Sequence, residues 1–273
     1  MAVTQKDKAV AFRTLHQQSK VFVIANAWDA GSAQLLAGLG FPAIATSSAA
    51  SANTLGRRDG KITRDEALAH ARALAAAVDV PVSADLENGF GHSPEQVGQT
   101  IRLAGETGLA GGSIEDFSGE ADQPIYAFDH AVERVAAAVE AAKALQFPFT
   151  LTARCEGILH GRTDLDDTIK RLQAFEKAGA DVLFAPGLPD LQAVRTLCSS
   201  LTKPVNFMVA IPGRSFSVAE LEAAGVRRIS LATSLHRAAM SGLYRAALEV
   251  RDQGTFEFLN TSVSSKELGQ FLR

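Results

Sequence analysis

Sulfur, tyrosine and tryptophan are scarce in this chain, whose 273 residues hold 2 cysteines, 3 methionines, 2 tyrosines and 1 tryptophan. Cys155 and Cys198 show no paired spacing, which excludes a disulfide framework or a thiolate zinc site and fits a reducing cytoplasm. No apolar run is long enough to span a bilayer, and nothing at the N-terminus reads as a signal peptide, so no membrane partner is expected. A net charge of -3 lacks the basic excess that polyanion binding requires, so nucleic acid is not an expected partner either. Linkers and low-complexity stretches are also missing, so residues 1–273 are expected to form one domain.

What is present is a regular alternation. Short β-rich runs at 21–27, 43–47, 81–86, 112–116, 149–155, 182–186, 204–209 and 227–231 predict strands. Helical patterns follow them at 31–39, 63–78, 93–108, 128–145, 165–179, 191–201, 218–225 and 234–254. Thr63-Arg-Asp-Glu66 reads as a capping box, Ser93-Pro94-Glu95 as a helix start, and Gly40, Gly108, Gly179 and Gly225 as helix stops. Eight strand–helix units at this length predict an α/β fold of the (β/α)8 TIM-barrel kind. A doubly wound sheet is the alternative; it usually has a glycine-rich turn after its first strand, where this chain has Asn26-Ala-Trp-Asp29. Beyond the barrel, the tail at 255–273 carries Phe256, Phe258, Leu259, Leu268 and Phe271, which need a surface to cover. That surface is the barrel's own base or a neighbouring subunit, and residues 234–273 are expected to serve oligomerisation.

The chemistry collects at predicted strand ends. In Pro81-Val-Ser-Ala-Asp-Leu-Glu-Asn-Gly-Phe-Gly91, a strand period of two places Asp85 and Glu87 on one face. A second strand ends in Glu115 and Asp116. Other strand ends bring Asn26 and Trp28, Ser47 and Ser48, and Arg154 and Glu156, while a loop adds Arg57, Arg58 and Asp59 and a strand interior adds Asn206. Carboxylates gathered this way repel one another unless a cation or a proton sits among them. An all-oxygen set without Cys or His favours Mg²⁺, with Mn²⁺ possible, and disfavours zinc. Such a cation holds a 2-oxo acid and stabilises the enolate formed when a bond to its third carbon breaks. Arg154 then binds a second carboxylate or a phosphoryl group, and backbone N–H groups of Ser47–Ala49 form an oxyanion-type cradle.

Structural readings stand beside these. Trp28 is equally a packing residue, and Arg154 an ion-pair partner of Glu156 or Asp85. Cys155 alternates away from Arg154 and is expected outside the barrel, inert. His92 is expected to support its loop, and His236 lies near the start of the last helix. The Arg227-Arg228 pair, opening the last strand at the barrel's bottom, is expected to be structural.

From about residue 21 to 254 the chain resembles the isocitrate lyase/phosphoenolpyruvate mutase superfamily. The resemblance rests on the Ala-Thr-Ser-Ser turn at 45–48, Leu55-Gly-Arg-Arg-Asp59, Ala84-Asp-Leu-Glu-Asn-Gly-Phe-Gly91, Ser113-Ile-Glu-Asp116 and Thr152-Ala-Arg154. It implies a Mg²⁺-dependent barrel acting on 2-oxo or 2-hydroxy carboxylates through an enolate. It also implies Asp85 as the principal metal ligand, with Glu87, Glu115 and Asp59 on the metal or its waters. Ser47, Ser48 and Ala49 would hold the substrate carboxylate, Arg154 its distal group, and Trp28 one wall. Asp59, Glu115 and Arg154 stand as the catalytic candidates, and a homo-oligomer, typically a tetramer with a swapped last helix, is implied.

The departures concern the substrate. Lyases of the superfamily carry a lid motif with a catalytic cysteine after the fourth strand; here the interval is Phe117-Ser-Gly-Glu-Ala-Asp-Gln-Pro-Ile-Tyr126, short and without cysteine. The mutase Lys-Thr-Asn lid is also missing, Asp-Leu-Glu replaces Asp-Ala-Asp, and Ala185-Pro186 replaces a lyase glutamate. The reading that fits best is decarboxylation of a small oxo-dicarboxylate such as oxaloacetate, the enolate being protonated by water or by Tyr126 or His92. A phosphonate P–C bond enzyme and a non-catalytic 2-oxo-acid-binding protein remain as alternatives.

Overall fold

The structure is a computed structural model describing residues 3–272. In chain order the elements are α1 (Gln5–Gln17), β1 (Phe22–Asn26), α2 (Ala30–Gly38), β2 (Ile44–Ala45), α3 (Ser48–Thr54), α4 (Arg64–Ala77), β3 (Val82–Asp85) and α5 (Pro94–Gly105). They continue with β4 (Gly111–Glu115), α6 (Phe128–Lys143), β5 (Thr150–Arg154), α7 (Leu165–Ala178), β6 (Val182–Phe184), α8 (Leu191–Ser199) and β7 (Val205–Met208). The chain finishes with α9 (Val218–Ala223), β8 (Arg228–Ser230), α10 (Ser234–Gln253), a 3₁₀ turn (Glu257–Thr261) and α11 (Ser265–Gly269). All strands are parallel and follow chain order around a closed barrel, which β8 completes by pairing Phe22 with Arg228 and Ile24 with Ser230 on flanking residues of β1. The expected (β/α)8 barrel is therefore what the chain forms.

Local chemistry explains where the elements begin and stop. Thr63 and Ser93 each accept from the backbone N–H three residues on, and Glu66 and Gln96 return the bond, giving two capping boxes. Gly179 closes α7 at φ 109, a left-handed conformation that an L side chain adopts only at a cost. Between barrel and helices lies a continuous apolar layer that includes Ile44, Leu74, Ile101, Leu151 and Phe175. Each such side chain, removed from water, contributes ~1.5–3 kcal/mol.

Helix α1 was not foreseen from the sequence. It closes the barrel's N-terminal end, with Phe12 fully buried against His16 and Phe22 edge-on. Lys8 ties it to the carbonyls of Ala75 and Val78, and Gln5 to those of Gly105 and Leu109. The short helix α3, capped by Ser47, was also unforeseen. Helix α10 is long and almost wholly exposed, with only His236 buried. Met240, Leu243, Tyr244 and Val250 stand in solvent along it, as do Phe256, Leu259 and Val263 after it. Of the tail, Phe271 reaches the chain's own barrel, lying against Gly38 of α2. Among the described residues no helix is long and apolar enough to cross a membrane.

Candidate active site

A cavity of about 260 Å³ occupies the C-terminal end of the barrel and continues down its axis. Of the residues singled out from the sequence, Asn26, Ser47, Ser48, Ala49, Asp59, Asp85, Arg154 and Asn206 line it. The barrel interior is unusually polar for this architecture, because Ser83, Ser113, Asn206, Arg228 and Ser230 take positions that branched apolar residues more often fill.

Arg154, the last residue of β5, sits at the centre of the carboxylates. Its Nη1 lies 3.2 Å from Asp85 Oδ1 and 3.3 Å from Glu115 Oε2, while Nε donates to Glu156 Oε1 at 2.7 Å. Strand register explains the convergence: Glu115 pairs with Arg154 between β4 and β5, and Asp85 with Ser113 between β3 and β4. Burial opposes the charge on Arg154, but Glu156, Glu115 and Asp85 outweigh it and hold the proton well above its usual range. The guanidinium is thus already engaged on three sides.

The position of Glu87 corrects one expectation. Strand β3 ends at Asp85, so strand periodicity does not bring Asp85 and Glu87 together. Glu87 lies in the following turn at φ 49, a strained value for a residue with a side chain, and Phe90 follows at φ 56. The turn is pinned from both sides: Glu87 N–H donates to Asp85 Oδ1 at 3.3 Å, and its carbonyl accepts from Glu115 N–H at 3.0 Å. Arg134 of α6 braces the same turn through the carbonyls of Asn88, Gly91 and His92. Asp85 is fixed in turn by the N–H of Ser48 (3.2 Å), so that part of the proposed oxyanion cradle is occupied by a carboxylate.

The electrostatics show an excess of negative charge. Glu87 is pushed up to about 8 by burial and then by Asp85 and Asp59. Glu115 is raised well above its ordinary range, by burial first, against the pull of Arg154. Asp59 is raised as well, by partial burial against the cavity wall and by Asp85, with Ser48 and Arg154 opposing. The Oε1 atom of Glu87 is buried and has no hydrogen-bond partner among the described residues. A buried carboxylate oxygen without a donor, among further carboxylates that one arginine balances incompletely, fits a hard cation. As the side chains stand, no three His, Cys, Asp or Glu residues among those described converge on a single metal point. Mg²⁺ suits such a site, because it keeps most of its waters and takes few direct protein ligands.

The remaining candidates fall around the cavity rather than in it. Trp28 packs edge-on against His236 at 5.2 Å between ring centroids, and neither lines the cavity. Tyr126 and His92 are also outside it; Tyr126 OH is 2.7 Å from His92 Nδ1, and the pair supports the turn after β3. The segment from Phe117 to Tyr126 is a compact hairpin closed by a bridge between Phe117 and Ile125, with Phe117 stacked on His160 at 4.1 Å. Asp116 faces away from Arg154, pairing with Arg171 at 3.4 Å and accepting from the N–H of Glu156 at 2.7 Å. Cys155 is buried in the outer core with its thiol pushed far up, chiefly by burial, as expected of an inert residue. Arg228, the first residue of β8 and so at the barrel's bottom as expected, is buried inside the barrel beside His16 of α1, and it also lines the cavity. The sequence singled out the Arg227-Arg228 pair but not which member points inward, because a strand's inward positions are readable only once its register is known.

The phosphoenolpyruvate phosphomutase family matches residues 12–251 of this chain. An uncharacterized protein of Mycobacterium tuberculosis strain H37Rv is 33% identical over 261 residues, covering 95% of each chain. The oxaloacetate decarboxylase of Chromohalobacter salexigens is 28% identical over 266 residues, covering 95% of this chain and 90% of that one. Among solved structures, a Burkholderia cenocepacia J2315 protein provisionally described as a lyase/mutase superposes with a TM-score of 0.95 at 52% identity, covering 98% of this chain and 96% of that one. With the closed barrel, the family match and these likenesses in agreement, the chain belongs to the phosphoenolpyruvate phosphomutase family and is an enzyme of the phosphoenolpyruvate mutase/isocitrate lyase superfamily.

Proposed function

We propose that this enzyme is a Mg²⁺-dependent lyase that decarboxylates a small 2-oxo dicarboxylic acid of the oxaloacetate type. Asp85 and Glu87 would hold the cation, with Glu115 and Asp59 on it or on its waters. When bound, Mg²⁺ supplies positive charge that offsets the charge developing on the 2-oxo oxygen. The unpartnered oxygen of Glu87 and the raised carboxylates around it support that assignment.

The observation that carries the choice of reaction is the cavity's composition. Among the described residues lining it there is no cysteine, lysine, histidine or tyrosine. The cysteine, lysine, histidine or tyrosine with which a lid would hand a proton to the leaving carbon is therefore not among them. Decarboxylation needs none at the bond-breaking step: the bond from the third carbon to its carboxylate breaks, carbon dioxide leaves, and the electron pair moves into the enolate. Water then delivers the proton. Arg154, held on three sides, presents fixed positive charge to the substrate without reorganising. Ser47 and Ser48 at the rim orient the carboxylate that is retained. The similarity to an oxaloacetate decarboxylase along nearly the whole chain supports the same class of substrate.

The exposed apolar residues of α10 support a homo-oligomeric enzyme in which residues 234–273 meet a second copy of the chain. The reaction is tested with protein stripped by EDTA and reconstituted with Mg²⁺, offered a panel of 2-oxo and 2-hydroxy acids. Mg²⁺-dependent release of carbon dioxide and pyruvate from oxaloacetate is expected. An absence of EDTA-sensitive turnover on any member of the panel overturns the reading.

A further inference from the structure

Two arginines line the cavity, and their charges are treated very differently. Arg154 meets three carboxylates. Arg228, 5% exposed, forms no ion pair with any carboxylate among the described residues. Its two hydrogen-bond partners are neutral. Nε donates to Asn206 Oδ1 at 2.8 Å, and Nη1 lies 3.4 Å from His16 Nε2. His16 Nδ1 is 2.8 Å from the carbonyl of Phe12, which only accepts, so the proton sits on Nδ1 and Nε2 offers Arg228 a lone pair. Asn206 is oriented in the same way, its amide donating to Ser230 Oγ at 2.9 Å. These contacts fix the guanidinium's plane without neutralising it, and Nη2 has no hydrogen-bond partner among the described residues.

A buried charge without a counter-ion is among the costliest arrangements a fold can keep. Here it lies on a solvent-connected cavity rather than in sealed core. We propose that Arg228 anchors a second anion site at the floor of this cavity, taking a small planar oxyanion of the carboxylate or bicarbonate kind. With Nε and Nη1 engaged, Nη2 keeps its N–H groups in the fixed guanidinium plane for an incoming oxyanion, a directed planar geometry that a point charge does not offer. Burial, acting alone, pulls the Arg228 proton affinity down to about 9, and an anion in place would reverse that direction. Two sources supply this chemistry: the second carboxylate of the substrate, or bicarbonate formed from the carbon dioxide released. Only this choice between sources rests on the decarboxylase reading; the site itself does not.

The test uses formate and bicarbonate as probes, with binding read by thermal melting at constant ionic strength. Formate is expected to raise the melting temperature of the wild-type protein saturably, and Arg228→Met is expected to abolish the response. Arg228→Lys keeps the charge but loses the fork, and its response should need at least about tenfold more formate. Asp85→Ala should respond as the wild type does, which separates this site from the metal reading. A full formate response in Arg228→Met overturns the proposal. Should that variant not fold, a bromide-soaked wild-type crystal decides: an anomalous peak against the Arg228 guanidinium supports the site, and a bare guanidinium overturns it. In turnover, a raised KM for the dicarboxylate in Arg228→Lys identifies the substrate carboxylate as occupant. An unchanged KM with loss of inhibition by bicarbonate identifies the released anion.

Discussion

Glu156 grips Arg154 from the residue next but one along the chain, with Oε1 2.7 Å from Nε, and its own backbone N–H is anchored 2.7 Å from Asp116 Oδ1. Asp116 is held from behind by Arg171 of α7. The chain Arg171–Asp116–Glu156–Arg154 therefore passes from the outer helix layer to the cavity and fixes the direction of the guanidinium.

Glu156→Gln should keep a hydrogen-bond acceptor while removing the charge that steers Arg154. A charge-assisted hydrogen bond contributes about 1.5–3 kcal/mol, so kcat/KM should fall roughly tenfold to a hundredfold. Mg²⁺ affinity measured by calorimetry should stay near the wild-type value. A large loss of Mg²⁺ binding instead would show that Glu156 belongs to the metal site.

Asp85→Ala should remove Mg²⁺ binding and leave the circular dichroism spectrum and unfolding profile intact, because the side chain is at the cavity mouth and not in the apolar layer. Retained Mg²⁺ affinity in this variant would show that the cation is held elsewhere.

His16 should make the fold sensitive to acid. Burial, followed by the nearby Arg228 charge, lowers it from 6.5 to about 3, with the bond to Phe12 opposing. Between these values the unfolded chain binds a proton that the folded chain refuses, so stability rises with pH there. This contribution is complete above 6.5 and is lost as pH falls towards 3. Denaturation midpoints should fall between about pH 7 and about pH 5, and His16→Gln should flatten that part of the profile. A variant with the wild-type slope would assign the effect to the carboxylates.

Gly111→Ala should destabilise the barrel strongly. A Cβ at Gly111 would stand 2.5 Å from the carbonyl oxygen of Thr150 and 2.9 Å from the Phe12 ring. Overpacking of this kind costs about 1–3 kcal/mol or more when backbone rather than a flexible side chain must yield. Urea denaturation provides the measurement, and an unchanged midpoint would mean that α1 is not seated against the barrel as described.

Leu243→Asp with Tyr244→Asp, both on exposed turns of α10, should shift the sedimentation coefficient towards the monomer. Unchanged sedimentation would place the subunit contact elsewhere.

Residue order alone carried the barrel, because its signals are local. Apolar runs of strand length alternate with helical patterns; Thr63 and Ser93 cap their helices, and Gly179 stops one in a left-handed conformation. The acidic motif was legible for the same reason, since Asp85 and Glu115 each end a strand. Helix α1 was not, because its few apolar residues become meaningful only against the barrel's open end, where Phe12 finds Phe22 and Gly111. The tertiary structure decided how the charges meet. It placed Glu87 in a strained turn rather than on a strand face, closed three carboxylates around Arg154, and left Arg228 inside the barrel without one. The reason is physical: helix caps and strand periods act over a few residues, whereas the balance of buried charge depends on side chains that only barrel closure brings within reach of one another.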